Sequence, residues 1–158
     1  MQTDKYETVI AEFTADHVDQ TIEFEKRLRE EEPDTYTWEP DEEYRSALQR
    51  SFADARFQNA LSYLAIRDGR VVGRIDASLI ASRSDAVCCS AYLDWICVLK
   101  SERHSGTAQR LLETLRRELR SRNVSVLIAL MAGNEEAQRF YRSVKDAQIR
   151  DEGIWIDI

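Results

Sequence analysis

The chain has 158 residues, of which 43% are hydrophobic and 32% charged, which is the ordinary composition of one soluble domain. No apolar run approaches the ~20 residues of a membrane helix, and the first ten residues lack the basic and then apolar stretch of a secretion signal, so the cytoplasm is the expected location. The formal net charge of −7 argues against a nucleic-acid partner, which needs clustered basic residues.

The charge is distributed unevenly along the chain. Residues 1–60 carry 16 acids and 7 bases, a net charge of −9, whereas residues 61–158 carry 13 acids and 15 bases, a net charge of +2. The acids are densest over residues 30–43, where eight acids stand with no base. This division indicates that the two parts of the chain have different tasks.

The three cysteines do not have the spacing of a metal site. Cys88 and Cys89 are adjacent, and Cys97 lies in a strand-like run. Two thiolates usually reach one metal ion from a short spacing such as C-x-x-C. The sequence therefore predicts buried free thiols and no metal.

Four elements are expected in the first part of the chain. A strand over Glu7–Phe13 is followed by Thr14, whose hydroxyl is suited to cap a helix. The acidic stretch contains two prolines and is predicted to be a loop. The acids Asp41–Glu43 then favour the start of a second helix, which should run to about Ala55, because acids stabilise the positive end of a helix. Leu61–Ile66 is predicted to be a strand.

The second part begins with Asp68-Gly69, a strong signal for a hairpin turn. The remaining expected elements are a strand over Val71–Ile80, a turn over Ser82–Asp85, a strand over Ala86–Leu99, an amphipathic helix over Ser105–Arg122, a strand over Val124–Met131, a short helix from Asn134 to about Val144, and two short strands at Gln148-Ile149 and Ile154–Ile158. Val124–Met131 is almost continuously apolar, as expected of a strand covered on both faces. The order predicts a single α/β domain in which helices flank a mixed, mostly antiparallel twisted sheet, with its parallel unit between Ala86 and Met131.

Two local patterns carry the candidate chemistry. In Arg103–Ala108 a glycine stands between a strand and a helix, where free backbone N–H groups and the helix dipole favour a phosphate. Arg103 and His104 could add positive charge nearby. In Asn134–Tyr141 a good N-cap begins a short helix that ends in an aromatic side chain. Read separately, the first pattern also fits an ordinary turn, and the second fits a capped helix with an aromatic anchor.

Together the two patterns resemble the signature of the GCN5-related N-acetyltransferase (GNAT) family. Arg103-x-x-Gly106-x-Ala108 is similar to the family's Gln/Arg-x-x-Gly-x-Gly/Ala motif, and Ile96-Cys97-Val98 resembles the strand end that precedes it. Asn134-x-x-Ala137-x-x-Phe140-Tyr141 resembles the family's second motif, one helix and one strand further on. The resemblance is firm over residues 61–144 and loose over 1–60. Lys145-Asp146 stands where many members have Gly-Phe, a departure that concerns the turn into the final strands.

The resemblance implies a GNAT-like acyl-CoA N-acyltransferase fold over residues 1–158, with acceptor-side helices in 1–60 and an acetyl-CoA-binding core in 86–144. The two strands of the parallel unit would separate, so that the pantetheine arm bonds to backbone in the gap and the pyrophosphate lies on the amides of the glycine loop. The implied cofactor-binding residues are Ile96, Cys97, Val98, Arg103, His104, Ser105, Gly106, Thr107, Ala108 and Asn134. Tyr141 would donate a proton to the CoA sulfur, and a backbone N–H near Cys97 or Val98 could hold the oxyanion.

The general base is inferred from the residues themselves. Asp94 is the first candidate, because it interrupts an apolar strand and a buried carboxylate needs a partner or a purpose. A bond to a neighbouring turn or strand end explains Asp94 equally well. Asp76 is the second candidate, with the solvent face of a strand as the simpler interpretation. His104 is assigned to the phosphate side and His17 to the surface.

The acidic stretch favours a cationic acceptor. Its field would attract a positively charged small amine, or a lysine or N-terminal amine in a basic context. A solvated acidic loop is the simpler alternative. Tyr36 and Trp38, beside these acids, could form an aromatic wall or only pack against the core.

Three functions stay open at this point. The leading one is an enzyme, an N-acetyltransferase that uses acetyl-CoA as co-substrate, with small-molecule and protein acceptors not separated. The alternatives are a non-catalytic acyl-CoA-binding module of the same fold and a protein-interaction domain in which Arg103–Ala108 is a plain turn. No metal, membrane or nucleic-acid partner is expected, and the paired terminal strands could support a homodimer.

Overall fold

A computed structural model describes residues 7–83 and 89–158. Within these ranges five strands and four helices form one α/β arrangement. The strands are β1 (Val9–Glu12), β2 (Ala60–Arg67), β3 (Arg70–Ile80), β4 (Cys89–Val98) and β5 (Val124–Ala129). The helices are α1 (Val18–Glu31), α2 (Glu42–Ser51), α3 (Thr107–Ser121) and α4 (Glu135–Ser143).

The strands form one sheet in the order β1-β2-β3-β4-β5. Each neighbouring pair is antiparallel except β4 and β5, which are parallel and joined through α3. The prediction of a mixed, mostly antiparallel sheet with one parallel unit is therefore confirmed. Asp68 and Gly69 join β2 to β3 with φ values of 52° and 73°, the left-handed backbone of a two-residue hairpin turn.

Helices α1 and α3 cover opposite faces of this sheet. A side chain at Gly73 would lie 3.2 Å from Leu111 of α3, so the glycine allows that helix to pack closely. The next residue of β3, Arg74, bonds instead to Glu25 of α1. Because consecutive residues of a strand point to opposite faces, the two helices form two separate layers. Fully buried side chains fill both layers, among them Phe24, Leu28, Leu64, Ile75, Leu99, Leu111 and Leu115.

The helix starts in the first part of the chain agree with the predicted caps. Thr14 shares a capping box with His17, whose Nδ1 lies 3.0 Å from the threonine hydroxyl. His17 was expected at the surface, but it is half-buried and forms part of this cap. Asp41 accepts the Tyr44 amide at 2.8 Å and begins α2. This helix ends at Ser51 rather than near Ala55.

The last part of the chain differs from the prediction. Val126 and Ile128 of β5 are 50% and 45% exposed, so the strand is not covered on both faces. The expected strands at Gln148-Ile149 and Ile154–Ile158 do not form, and these residues are exposed. A strand needs hydrogen-bond partners on a neighbouring strand, and the residues after α4 do not pair with β5, although a side chain at Gly153 would lie 3.1 Å from Leu130. The homodimer expected from those strands stays a prediction.

Some predictions fall on residues outside the described ranges. The turn over Ser82–Asp85 is described only to residue 83, and the first residues of the strand predicted from Ala86 are not described. Cys97 is a buried free thiol, as predicted, whereas Cys88 lies outside the described residues. Among the residues that the structure describes, no helix is long and apolar enough to cross a membrane. No group of three or more His, Cys, Asp or Glu side chains in the same ranges could hold a metal ion.

Candidate active site

The site begins where β4 and β5 separate. Their parallel pairing ends at Leu93 and Ala129, whereas β4 continues to Val98. Asp94 lies at this point, since Asp76 pairs with Trp95 and Ala77 with Leu93, which leaves Asp94 as the extra residue of a bulge. In the described part of the chain, β4 beyond the bulge thus has a neighbouring strand only on its β3 side.

Ile96, Cys97 and Val98 lie on this half-paired stretch. Cys97 and Val98 are buried and Ile96 is half-buried, so the stretch can offer a ligand its backbone more readily than its side chains. Burial raises the pKa of the Cys97 thiol well above its ordinary value, which keeps the thiol neutral. Free backbone groups beside a strand are the partners that an extended amide-containing chain would need.

A loop of unusual backbone geometry follows β4. His104 and Gly106 have φ values of 62° and 79°, and α3 starts at the next residue, Thr107. The Ser105 hydroxyl donates to the Glu102 carbonyl at 2.7 Å and lies 2.8 Å from the Thr107 hydroxyl. Thr107 is buried, so its side chain belongs to the packing of the loop. The amides at the start of α3 are the groups that this loop presents.

The guanidinium of Arg103 is already paired with other groups of the protein. Its Nη1 lies 3.0 Å from Glu32 at the end of α1, and its Nε donates to the Val98 carbonyl at 3.3 Å. Glu31 accepts the Ser101 amide at 3.0 Å and the Ser101 hydroxyl at 2.8 Å. The acidic end of α1 therefore braces the loop that precedes α3.

Glu31 illustrates how these contacts act on charge. Burial by itself raises the pKa of the Glu31 carboxyl, but the two hydrogen bonds from Ser101, the charge of Arg27 and the Lys100 amide together more than offset this effect, so the pKa lies below its ordinary value. Part of the acidic cluster thus has a structural task in holding the loop. Fewer of its acids remain to act only as a field for cations.

Asn134 and Tyr141 lie at the two ends of α4. The Asn134 Oδ1 accepts the Ala137 amide at 2.8 Å, which confirms the predicted cap and leaves the amide nitrogen of the side chain for other partners. Tyr141 is half-buried, and its ring lies edge-on to Phe140 at 5.3 Å. Burial raises the pKa of the Tyr141 phenol, and a nearby Tyr92 of β4 raises it further. The phenol therefore stays protonated at neutral pH.

The two candidate bases have different partners. Asp94 accepts the Ser78 hydroxyl at 2.7 Å, so it has the neighbouring-strand bond that the sequence left open. Desolvation raises the pKa of Asp94, the Ser78 hydrogen bond lowers it, and the charge of Asp76 raises it again, with a net increase. Asp76 lies 2.7 Å from the Arg74 Nε in an ion pair. Its charge is thereby balanced. Asp94 is exposed rather than buried as the sequence suggested, and it has no ion-pair partner among the described residues.

A buried carboxylate on α1 escaped the sequence interpretation. Glu25 is 1% exposed and accepts hydrogen bonds from Trp38 at 2.9 Å, Tyr44 at 3.0 Å and Arg74 at 2.8 Å. Its place three residues after Ile22 and three before Leu28, on the apolar face of α1, is the signal that could have found it. Burial raises the pKa of Glu25, although Arg74 opposes the shift.

Aromatic rings cover the same face of the sheet. Trp38 and Trp95 meet at 5.6 Å between ring centres, and Tyr36 lies 5.5 Å from Trp38. Trp95 pairs across the strands with Asp76, so this end of the aromatic group lies beside that carboxylate. A groove of about 830 Å³ lies between α1, the acidic loop and α2. Asp94 and Tyr141 do not line this groove.

The profile of the acetyltransferase (GNAT) family matches residues 23–144 of this chain. An aminoglycoside acetyltransferase from an uncultured soil metagenomic sample, solved in complex with sisomicin, is similar with a TM-score of 0.78 and 14% identity over 96% of both chains. The ribosomal-protein-alanine N-acetyltransferase from Brucella melitensis biovar Abortus 2308 is similar with a TM-score of 0.73 and 18% identity, over 96% of this chain and 99% of that one. AAC(6')-Iy, solved with the bisubstrate analogue CoA-S-monomethyl-acetylneamine, is similar with a TM-score of 0.74 and 16% identity, over 96% of this chain and 99% of that one. These identities support a shared fold, and no curated protein matches the sequence significantly.

Proposed function

This chain belongs to the GNAT acetyltransferase family, and we propose that it transfers the acetyl group of acetyl-CoA to an amine by direct attack in a ternary complex. The observation that carries the proposal is the end of β4–β5 pairing at Leu93, in a chain that also has the left-handed loop at Gly106 and the half-buried phenol of Tyr141. A gap with free backbone, a phosphate-binding helix start and a neutral acid are the three features that the reaction needs.

The chain has suitable groups for acetyl-CoA. We assign the pantetheine arm to the backbone of Ile96, Cys97 and Val98, since this stretch has no neighbour from β5 among the described residues. The pyrophosphate is assigned to the amides of residues 104–108, where two left-handed residues shape the loop. Acetyl-CoA supplies an activated thioester, and the protein supplies position and proton transfer.

The chemical step is a displacement at the thioester carbonyl. The neutral amine nitrogen forms a bond to the carbonyl carbon, and the carbon–sulfur bond then breaks. Asp94 takes a proton from the ammonium before the attack, directly or through a water. Tyr141 gives its proton to the departing thiolate, and the proton that the acetylated nitrogen then loses restores the phenol through solvent. A raised pKa suits Asp94 to this task, because a base works best when its pKa lies close to the working pH. Asp76, already paired with Arg74, stays the second candidate.

The acceptor is proposed to be a cationic amine. The acid-rich residues 1–60 and the unpaired charge of Asp94 support this class. The similar structures were solved for proteins named as aminoglycoside and ribosomal-protein-alanine acetyltransferases, so both small amines and N-terminal amines remain acceptors to test. The cytoplasmic location stays a prediction.

A Tyr141→Phe variant separates the enzyme from a non-catalytic acyl-CoA-binding module. We expect thiol release with polyamines or basic peptides to fall by about 10²-fold or more, the usual contribution of a positioned acid, while calorimetric binding of acetyl-CoA is unchanged. Tyr63→Phe is the matched control, because Tyr63 is also half-buried but lies on β2. Binding without turnover in the unmodified protein would favour the module, and absence of binding would refute both.

A further inference from the structure

Two tryptophans form a partly exposed platform on the α1 face of the sheet. The rings of Trp38 and Trp95, which we call the indole platform, stand edge to face at 5.6 Å with an interplanar angle of 76°. Tyr36 lies behind them, 9% exposed, whereas Trp38 is 36% exposed. The platform thus has a buried aromatic support and an accessible surface.

A hydrogen bond to a buried side chain fixes the orientation of Trp38. Its indole N–H donates to the buried Glu25 carboxylate at 2.9 Å, and Glu25 is itself held by Tyr44 and Arg74. A charge-assisted bond of this kind is stronger than one between neutral groups. The ring therefore keeps one orientation although it lies in an irregular segment between α1 and α2. A rigid, exposed aromatic face is the kind of surface that binding sites use.

The platform borders the carboxylates of the candidate active site. Trp95 pairs across the strands with Asp76, Asp94 is the preceding residue of β4 at the bulge, and the charge of Asp76 acts on Asp94. The guanidinium of Arg74 already lies 5.5 Å from the centre of the Trp95 ring. Trp95 is therefore in a position where an indole contacts a cation beside carboxylates. The charge of Arg74 is balanced by Glu25 and Asp76, which leaves Asp94 for a second cation.

We propose that the indole platform, together with Asp94, is the subsite for the charged end of the acceptor, and that it selects alkylammonium compounds over neutral molecules of the same shape. The inference rests on the proposed function, because it names the class of amine that would reach the thioester. Tryptophan is the best aromatic partner for a cation, and the apolar carbons next to the ammonium gain from contact with the same rings. The carboxylate of Asp94 accepts the N–H of a primary ammonium, which then loses its proton to become the nucleophile.

The first test uses a cation that cannot be acetylated. Choline carries a quaternary ammonium, and 3,3-dimethyl-1-butanol has the same shape without the charge. The chain has three tryptophans, of which Trp155 is 76% exposed in the last residues, so a Trp155→Phe background leaves the platform as the fluorescent reporter. We expect saturable quenching by choline at concentrations about five- to thirty-fold below those needed for the neutral alcohol.

Two variants separate ring chemistry from packing. Trp38→Phe and Trp38→Leu both remove the hydrogen bond to Glu25, but only the leucine lacks an aromatic face. We expect the leucine variant to lose most of the preference for choline and the phenylalanine variant to keep part of it. Because fluorescence changes when Trp38 is removed, the variants are compared by calorimetry, with thermal melting as the check on folding.

The outcomes distinguish the inference from the proposed function. Equal binding of choline and the alcohol, or equal binding by the two variants, would overturn the platform even if acetyl-CoA binds and amines are acetylated. Preferential choline binding lost in Trp38→Leu would support it. If acetyl-CoA does not bind but choline does, the acyltransfer function falls, and the platform remains as a site for alkylammonium ions.

Discussion

Replacing Arg74 by methionine is expected to destabilise the fold strongly at neutral pH. Arg74 is the cationic partner of Glu25, whose side chain is 0% exposed, and the two atoms that join them are 2.8 Å apart. Removal of one member of a buried pair leaves the other charge without compensation, which costs about 3–5 kcal/mol. For a chain of this length that corresponds to a melting temperature lower by about 6–20 °C.

The loss should depend on pH in a defined direction. Burial raises the pKa of Glu25 above its ordinary value of 4.5, and Arg74 opposes that increase, so the variant raises it further. A carboxyl whose pKa is raised in the folded state gives full stability below the unfolded pKa and loses it as the pH rises through the folded pKa. The gap in stability between Arg74→Met and the unmodified protein should therefore widen as the pH rises above the folded pKa of Glu25 in the unmodified protein, and it should be larger at about pH 8 than at about pH 4.5.

Urea unfolding at several pH values measures this effect. Arg120→Met is the matched control, because Arg120 pairs with Glu113 at 3.1 Å but both side chains are more than half exposed. An exposed pair of this kind contributes only about 0–1 kcal/mol. Adding Glu25→Gln to Arg74→Met should recover much of the loss at pH 8. Equal losses in the two arginine variants, or a loss that does not change with pH, would refute the buried-charge argument.

Three further outcomes are expected. Gly106→Ala should lower the free energy of unfolding by about 1–2 kcal/mol, since a side chain at φ 79° is strained, and it should also weaken acetyl-CoA binding. Thermal melting measures the first effect and calorimetry the second. Glu31→Gln weakens the hydrogen bonds from Ser101, so the affinity for acetyl-CoA should fall several-fold, by about 0.5–1.5 kcal/mol per weakened bond. Unchanged affinity would show that the contact between Glu31 and Ser101 does not hold the loop in its binding shape. Ser78→Ala removes the hydrogen bond that lowers the pKa of Asp94, so the acidic limb of the plot of kcat/KM against pH should move to higher pH. An unmoved limb would exclude Asp94 as the base.

Two features of the proposed cofactor region depend on local sequence. A glycine takes a left-handed backbone without strain, as Gly106 does, and Asn134 caps α4, because both properties depend on the residue and its immediate neighbours. The hairpin at Asp68-Gly69 follows from the same kind of local preference. The family resemblance of these motifs agrees with the match of the family profile over residues 23–144.

The terminal strands show where local pattern is insufficient. Ile154–Ile158 has the apolar, β-branched composition of a strand, but a strand requires hydrogen-bond partners on another segment. None of the described residues after Ser143 belongs to a strand. The exposed face of β5 has the same origin, because its apolar sequence cannot specify whether another segment covers it. These features depend on where distant parts of the chain lie.

The sequence by itself determined the order of the central elements, the turn and cap positions, and the family of the chain. Only the tertiary structure decided which charges meet: Glu25 and Arg74 are 49 residues apart, and Arg103 and Glu32 are 71 apart. Their pairing assigns structural tasks to acids that the sequence alone left without partners, whereas Asp94 has no ion-pair partner among the described residues. The physical reason is that turns and caps are short-range preferences, whereas the energy of a charge depends on burial and on partners that the fold brings together.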